Sequence, residues 1–244
     1  PEIAAACYHK LTSSYSPFVS SAAMSSTLIV SGADRYSPEK LPLLEQNVDE
    51  QVANRTWNLD ANVTLLRFYQ FSPASVKPQI VAKILIKAIM QAPNQDYKCC
   101  ITLLPERLQQ ADETIYKVVQ LANALETSRF ADFWNATNTC RDLLMNIPGF
   151  YEAVRGFIAH TLVNTYGRVT KRTLADCLKL DGATLDQYLS DKCRTAGWSI
   201  VPTPAGDVVG LPRNDDHQSV VKRTQELIRF EQVAPMLKAL TVGF

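Results

Sequence analysis

The three histidines, His9, His160 and His217, are the side chains best suited to move protons or hold a metal near neutral pH. They stand far apart, with no H-E-x-x-H helix and no cysteine at metal-ligand spacing around them, so neither a zinc site nor a histidine general base is expected. His160 shares a helical stretch with Val154, Phe157 and Ile158, which makes it a packing or surface residue. Acyl transfer would need a Ser or Cys joined to a His and an orienting carboxylate, and no G-x-S-x-G marks such a place. The 9 glycines never gather into G-x-G-x-x-G or G-x-x-x-x-G-K-[ST], the loops whose amides cradle phosphate. The expectation is a chain without a catalytic residue, metal, cofactor or small-molecule substrate.

What remains is binding. The chain of 244 residues carries 25 basic and 24 acidic side chains, a formal charge of +1, so no global field draws it to nucleic acid or to an anionic membrane. Local cations stand out instead. Arg168, Lys171 and Arg172 form one basic cluster, and Lys222, Arg223 and Arg229 form another; both are candidates for contact with RNA or an acidic partner, or else solvated faces. Six cysteines, at 7, 99, 100, 140, 177 and 193, include no C-x-x-C and read as reduced thiols. No apolar run reaches the roughly 20 residues of a membrane span. Residues 1–31, rich in Ser and Ala with Lys10 their only cation, read as a mobile tail rather than a transit peptide.

The elements that would position these groups are helical over most of the chain. Ser37-Pro38-Glu39 suits a helix start, with Ser37 capping free amides and Pro38 in the first turn, and the helix runs to about Val52. A second spans about Leu59 to Tyr69 and is stopped by Phe71-Ser72-Pro73. Ile80, Val81, Ile84, Leu85, Ala88 and Ile89 then place one apolar stripe toward a core. Asp96 to Gln110 is helical with a break at Pro105. Ile115, Val118, Val119, Ala122 and Leu125 mark another helix, and Phe130 to Ile147 and Phe150 to Tyr166 two more. The aromatics Trp57, Phe68, Tyr69, Phe130, Phe133 and Trp134 read as core contacts. Seven or so helices with short loops and no strict repeat predict antiparallel pairs stacked as a HEAT-like array.

The texture changes after Gly167. Val169 fits a short strand, Thr170 a cap for a helix from Lys171 to about Leu178, and a second helix from about Thr184 to Thr195 ends at Gly197. Ser199 to Val201 and Val208 to Leu211 then flank turn residues from Pro202 to Asp207, a hairpin signal. That order is a winged helix-turn-helix. Its second helix balances Asp186 and Asp191 against Lys192 and Arg194, too neutral for strong phosphate binding. Beyond it, Val220, Leu227, Ile228, Val233, Leu237 and Leu240 space out as one or two closing helices whose apolar positions are the best candidates for a partner interface.

Several separated motifs resemble one family in register. Gly32-Ala33-Asp34-Arg35-Tyr36-Ser37-Pro38-Glu39, Asp60-Ala61-Asn62, Arg67-Phe68-Tyr69-Gln70-Phe71-Ser72-Pro73, Leu125-Glu126-Thr127 with Phe130, Phe133 and Trp134, Phe157-Ile158 with His160, and Gly197-Trp198 are similar to the subunit k family of eukaryotic translation initiation factor 3. The likeness covers about residues 32–212 and departs at both ends. It implies a helical-repeat domain followed by a winged helix, a scaffold shared with the proteasome lid and the signalosome. It also implies an architectural, cytoplasmic role beside sister subunits, subunit l above all, and the small ribosomal subunit, whose ribosomal RNA is then one of the partners open to the basic clusters. The domains expected are a tail over 1–31, helical repeats over 32–150, a winged helix over 151–214 and partner-packing helices over 215–244. A lid or signalosome scaffold and a winged-helix DNA-binding regulator stand as alternatives, with a hydrolase the most distant.

Overall fold

A computed structural model describes residues 38–204, 206–214 and 229–241. The chain divides into two compact units between Val154 and Arg155, four residues beyond the boundary expected from sequence. Ser37, the expected first cap, lies outside the described residues.

In the first unit a 3-10 turn at Pro38–Lys40 leads into α1 (Leu41–Ala53), followed by α2 (Leu59–Phe71), α3 (Pro78–Ile89), α4 (Asp96–Ile101), α5 (Glu106–Ala111), α6 (Glu113–Glu126), α7 (Phe130–Thr139), α8 (Arg141–Met145) and the start of α9 (Phe150–Thr165). Local chemistry sets these starts. The Asn58 side chain accepts from the Ala61 amide at 3.2 Å, and Asp112 accepts from the Thr114 and Ile115 amides at 2.9 and 3.1 Å. These bonds satisfy amides that have no partner within the helix. Pro78 opens α3 where its missing N–H costs nothing, behind an extended Lys77.

The core runs through Leu65, Val81, Leu85, Ala88, Ile115 and Phe133, none of which reaches solvent. Burying each of the larger ones contributes about 1.5–3 kcal/mol. Phe133 meets Trp134 edge-on at 5.1 Å and stacks with Phe150 at 6.4 Å, while Trp134 stacks with Tyr151 at 6.3 Å. Five of the six aromatics expected in the core are there; Trp57 is half-buried and donates to the Asp96 carboxylate at 2.8 Å.

Two expectations change. α3 does not turn a single stripe inward: it is buried from Val81 to Ile89 except at Lys83, because α1, α4 and α6 all pack on it. The segment from Phe130 to Ile147 is two helices, broken at Cys140.

Lys87 lies inside that packing at 4 % exposure, and its ammonium donates to the Gln51 carbonyl at 3.3 Å. Burial pushes the amine down to about 8. An unfolded chain keeps its proton to about pH 10.4, so between those values the unfolded state binds more protons and stability rises with pH. Below pH 8 the full penalty of about 3 kcal/mol stands. In denaturant titrations the wild type is expected to approach a Lys87→Met variant in stability between about pH 8 and 10; a constant gap would refute this account.

The second unit holds the rest of α9, then β1 (Arg168–Thr170), α10 (Lys171–Leu178), α11 (Gly182–Ala196), β2 (Ser199–Thr203), β3 (Gly206–Gly210) and α12 (Phe230–Thr241). The sheet is antiparallel in the order β1-β3-β2, with Val169 opposite Val209 and Ile200 opposite Val209 on the other side. Val169, Leu174, Leu178, Leu185, Leu189, Trp198, Val209 and Leu211 fill the space between sheet and helices. Thr170 caps α10 by accepting from the Thr173 amide at 3.2 Å, and Gly197 ends α11 in the left-handed region at φ 68°. Thr170→Ala is expected to cost about 1 kcal/mol in a denaturant titration. The strands reach further than expected from sequence: Pro202 and Thr203 pair with Asp207 and Gly206, so the tip is shorter than the turn-rich composition suggests.

Candidate partner-binding surfaces

The first basic cluster falls at the entry to the winged helix. Arg168 and Arg172 are exposed, whereas the Lys171 ammonium lies 2.7 Å from the Asp186 carboxylate of α11 and 3.9 Å from that of Asp207 in β3. The hydrogen bond to Asp186 holds the Lys171 proton more tightly than usual. On α11, Arg194 pairs with Asp191 at 3.2 Å and Lys192 sits 5.5 Å above the Tyr188 ring. Three of the cations nearest a duplex-reading helix are therefore already engaged. Lys222 and Arg223 lie outside the described residues.

His160 belongs to a polar chain. Its Nε2 is 3.1 Å from the Asn164 amide nitrogen, and Asn214 donates to the Asn164 side-chain oxygen at 3.0 Å and to the Val163 carbonyl at 3.2 Å. These bonds tie the segment after β3 to the end of α9, a positioning duty. Elsewhere Cys100 is buried beside Asp96 and exposed Cys99, and burial pushes its thiol up to about 12. Such a thiol is a poor nucleophile at neutral pH.

Two apolar surfaces stand exposed in the second unit. On α12, Phe230, Val233, Ala234 and Leu237 follow i, i+3, i+4, i+7 and share one face, on which Phe230 is 74 % and Leu237 49 % exposed while Val233 and Ala234 are half-buried. Of the six apolar positions expected to bind a partner, Val233 and Leu237 lie on this face. Leu240 is in the same helix with its side chain outside the described residues, as are Val220, Leu227 and Ile228 altogether. Phe230, the largest exposed side chain of α12, was not among them.

The second surface is β2, an edge strand of the sheet. Ile200 and Val201 are adjacent and so point to opposite faces, yet both are 47 % exposed. Pro202 follows them on the same edge. A proline holds its place in a sheet only where its nitrogen faces away from the neighbouring strand. The free edge of β2 therefore offers backbone pairing groups at Ile200 and no donor at Pro202. The sequence signal for this surface was faint, since two apolar residues in a row look like any buried strand.

Comparison with known proteins places this architecture among relatives. The model of the CSN8/PSMD8/EIF3K family matches residues 75–222, which takes in α3 to β3. Proteins named "Eukaryotic translation initiation factor 3 subunit K" are similar over most of their length. The one from Nematostella vectensis is 33 % identical over 212 residues, 86 % of this chain and 94 % of that protein. The one from Danio rerio is 34 % identical over 209 residues, 86 % and 92 % of the two chains. For the Homo sapiens protein the figures are 35 % over 171 residues, 70 % and 77 %.

Proposed function

We propose that this chain, which belongs to the CSN8/PSMD8/EIF3K family, works as a non-catalytic architectural subunit of eukaryotic translation initiation factor 3. The observation that carries this reading is the similarity to subunits K across both units rather than across a shared module alone. In this role the chain acts in the cytoplasm, binds sister subunits and associates through them with the small ribosomal subunit. Subunit l is its nearest partner, reached through the second unit, where α12 and the edge of β2 leave Phe230, Val233, Ile200 and Val201 exposed or half-exposed. A few apolar anchors of this kind supply most of the affinity of an interface. No bond-making step is required of such a subunit.

The test is affinity purification of the tagged chain from lysate at moderate salt, with mass spectrometry of what stays bound. Recovery of the other initiation-factor subunits with small-subunit ribosomal proteins, lost on deleting Val220 to Phe244, supports the assignment and the interface together. Recovery of proteasome-lid or signalosome subunits would keep the architecture and overturn the function.

Direct RNA contact through Arg168, Lys171 and Arg172 is a lesser part of the proposal, because Lys171 is held by two carboxylates. Each phosphate contact adds about 0.9 to the slope of log affinity against log salt. A fluorescence-anisotropy titration of a short RNA duplex is expected to give a slope of no more than about 2 in the wild type. Arg168→Ala with Arg172→Ala is expected to flatten it while sister subunits are still recovered. A slope that the double variant leaves unchanged would remove these residues from any RNA interface.

A further inference from the structure

α1 and α3 are joined by three lysine contacts in the same order along both helices. Lys77 reaches the Glu45 carboxylate at 2.5 Å, Lys83 the Asp49 carboxylate at 2.7 Å, and Lys87 the Gln51 carbonyl at 3.3 Å. The shared order means that α1 and α3 run parallel. The three contacts differ in surroundings. The Lys77 and Lys83 side chains are 60 % and 34 % exposed, whereas Lys87 is sealed in the core. The Lys83–Asp49 pair is largely exposed at both ends and fixes little. Glu45 is buried and accepts from the Tyr69 hydroxyl of α2 at 2.7 Å, but its Lys77 partner stands exposed just ahead of α3, where water substitutes for the ammonium.

The innermost contact sits on a buried polar node. Gln51 donates to the side-chain oxygens of Asn62 at 3.1 Å and Asn47 at 2.7 Å, and its own oxygen accepts from Asn62 at 3.0 Å and from the Asn58 amide at 3.0 Å. α1, α2 and α3 thus meet at one cluster in which Gln51, Asn62 and Lys87 are all buried. The apolar part of the same contact discriminates less. α1 buries Leu44 and Val48 at a one-turn spacing, and α3 buries Val81, Leu85 and Ile89 at the same spacing. Sliding α1 by a turn would exchange one aliphatic contact for another. It would also leave a buried ammonium without its carbonyl, which a protein interior does not tolerate.

We propose that Lys87 is a register pin: its buried ammonium, seated on the last turn of α1, holds the α1–α2 hairpin in a single alignment on α3, at a cost in overall stability. The reading is independent of what the assembled chain binds. The decisive variant is Lys87→Met in the full chain, followed by denaturant unfolding and native-state amide exchange. The denaturant midpoint is expected to rise, because the ammonium is gone. Amides of α1 are expected to exchange about tenfold faster relative to those of α6, because several alignments become accessible. A midpoint that rises with unchanged or greater relative protection of α1 would overturn the proposal, leaving Lys87 as a cost without a specifying role. A lower midpoint or a failure to fold would overturn it as well, by showing that Lys87 contributes net stability. Lys83→Met, which removes an exposed contact of the same series, is expected to leave both measurements unchanged.

Discussion

Replacing Phe133 with alanine is expected to lower the free energy of unfolding by about 4 kcal/mol, read from a denaturant titration of the isolated chain. The side chain has no solvent exposure and is the common neighbour of Trp134 at 5.1 Å and Phe150 at 6.4 Å. Removing it forfeits apolar burial and two ring contacts, and it opens a void that α7 and the start of α9 cannot close without moving their own aromatic residues. Against a total stability of about 5–15 kcal/mol, a loss of that size removes between about a quarter and most of it. Phe71→Ala is the matched control: Phe71 is 71 % exposed at the end of α2, and its removal is expected to change stability by less than about 0.5 kcal/mol. Equal effects from the two would mean that the aromatic cluster is not the core of the first unit.

The second large effect concerns assembly rather than folding. Phe230→Asp combined with Val233→Asp places two carboxylates on the apolar face of α12 and is expected to weaken binding to sister subunits by about 30-fold or more, the loss of an anchor worth about 2 kcal/mol. Because Phe230 is 74 % exposed and Val233 only half-buried, the thermal midpoint of the free chain is expected to fall by no more than a few degrees. Immobilised partner complex and a concentration series of each variant give the affinity; calorimetry gives the midpoint. Full affinity in the double variant would direct attention to the Ile200 and Val201 edge. A large fall in the midpoint would mean that α12 covers its own unit instead of a partner.

Much of this organisation was legible in the order of residues. Pro105 and Thr170 stand where a helix is interrupted and where one starts, as their chemistry predicts, whereas Asn58, Pro78 and Asp112 open helices that apolar spacing alone marks. The division at Cys140 has no such mark: Asn138-Thr139-Cys140 contains neither Gly nor Pro, so the apolar pattern reads through it. The all-round burial of α3 was hidden for a different reason. Periodicity reports the most apolar face of a helix and cannot count its neighbours, and here three helices pack against one. Lys87 was the least visible feature, since an amine amid aliphatic residues reads as an interruption of an apolar run until the Gln51 carbonyl is seen opposite it. Among surface residues, spacing alone singled out Val233 and Leu237. Phe230 escaped because it opens α12, where a pattern has only just begun. Pro202 was read as turn chemistry because sequence alone does not say which strand will lie at an edge.

That proline matters most before assembly. A chain made in excess of its partners carries β2 uncovered, with Ile200 and Val201 half-exposed, and two such edges could zip together into ever longer sheets. Pro202 deprives a second copy of the donor it would need to extend pairing beyond Ile200, and α11 before the strand and the turn into β3 after it keep the run short. Under the proposed role, the same short edge can still receive one partner strand shaped to stop there, while a second copy finds too little edge to continue the sheet.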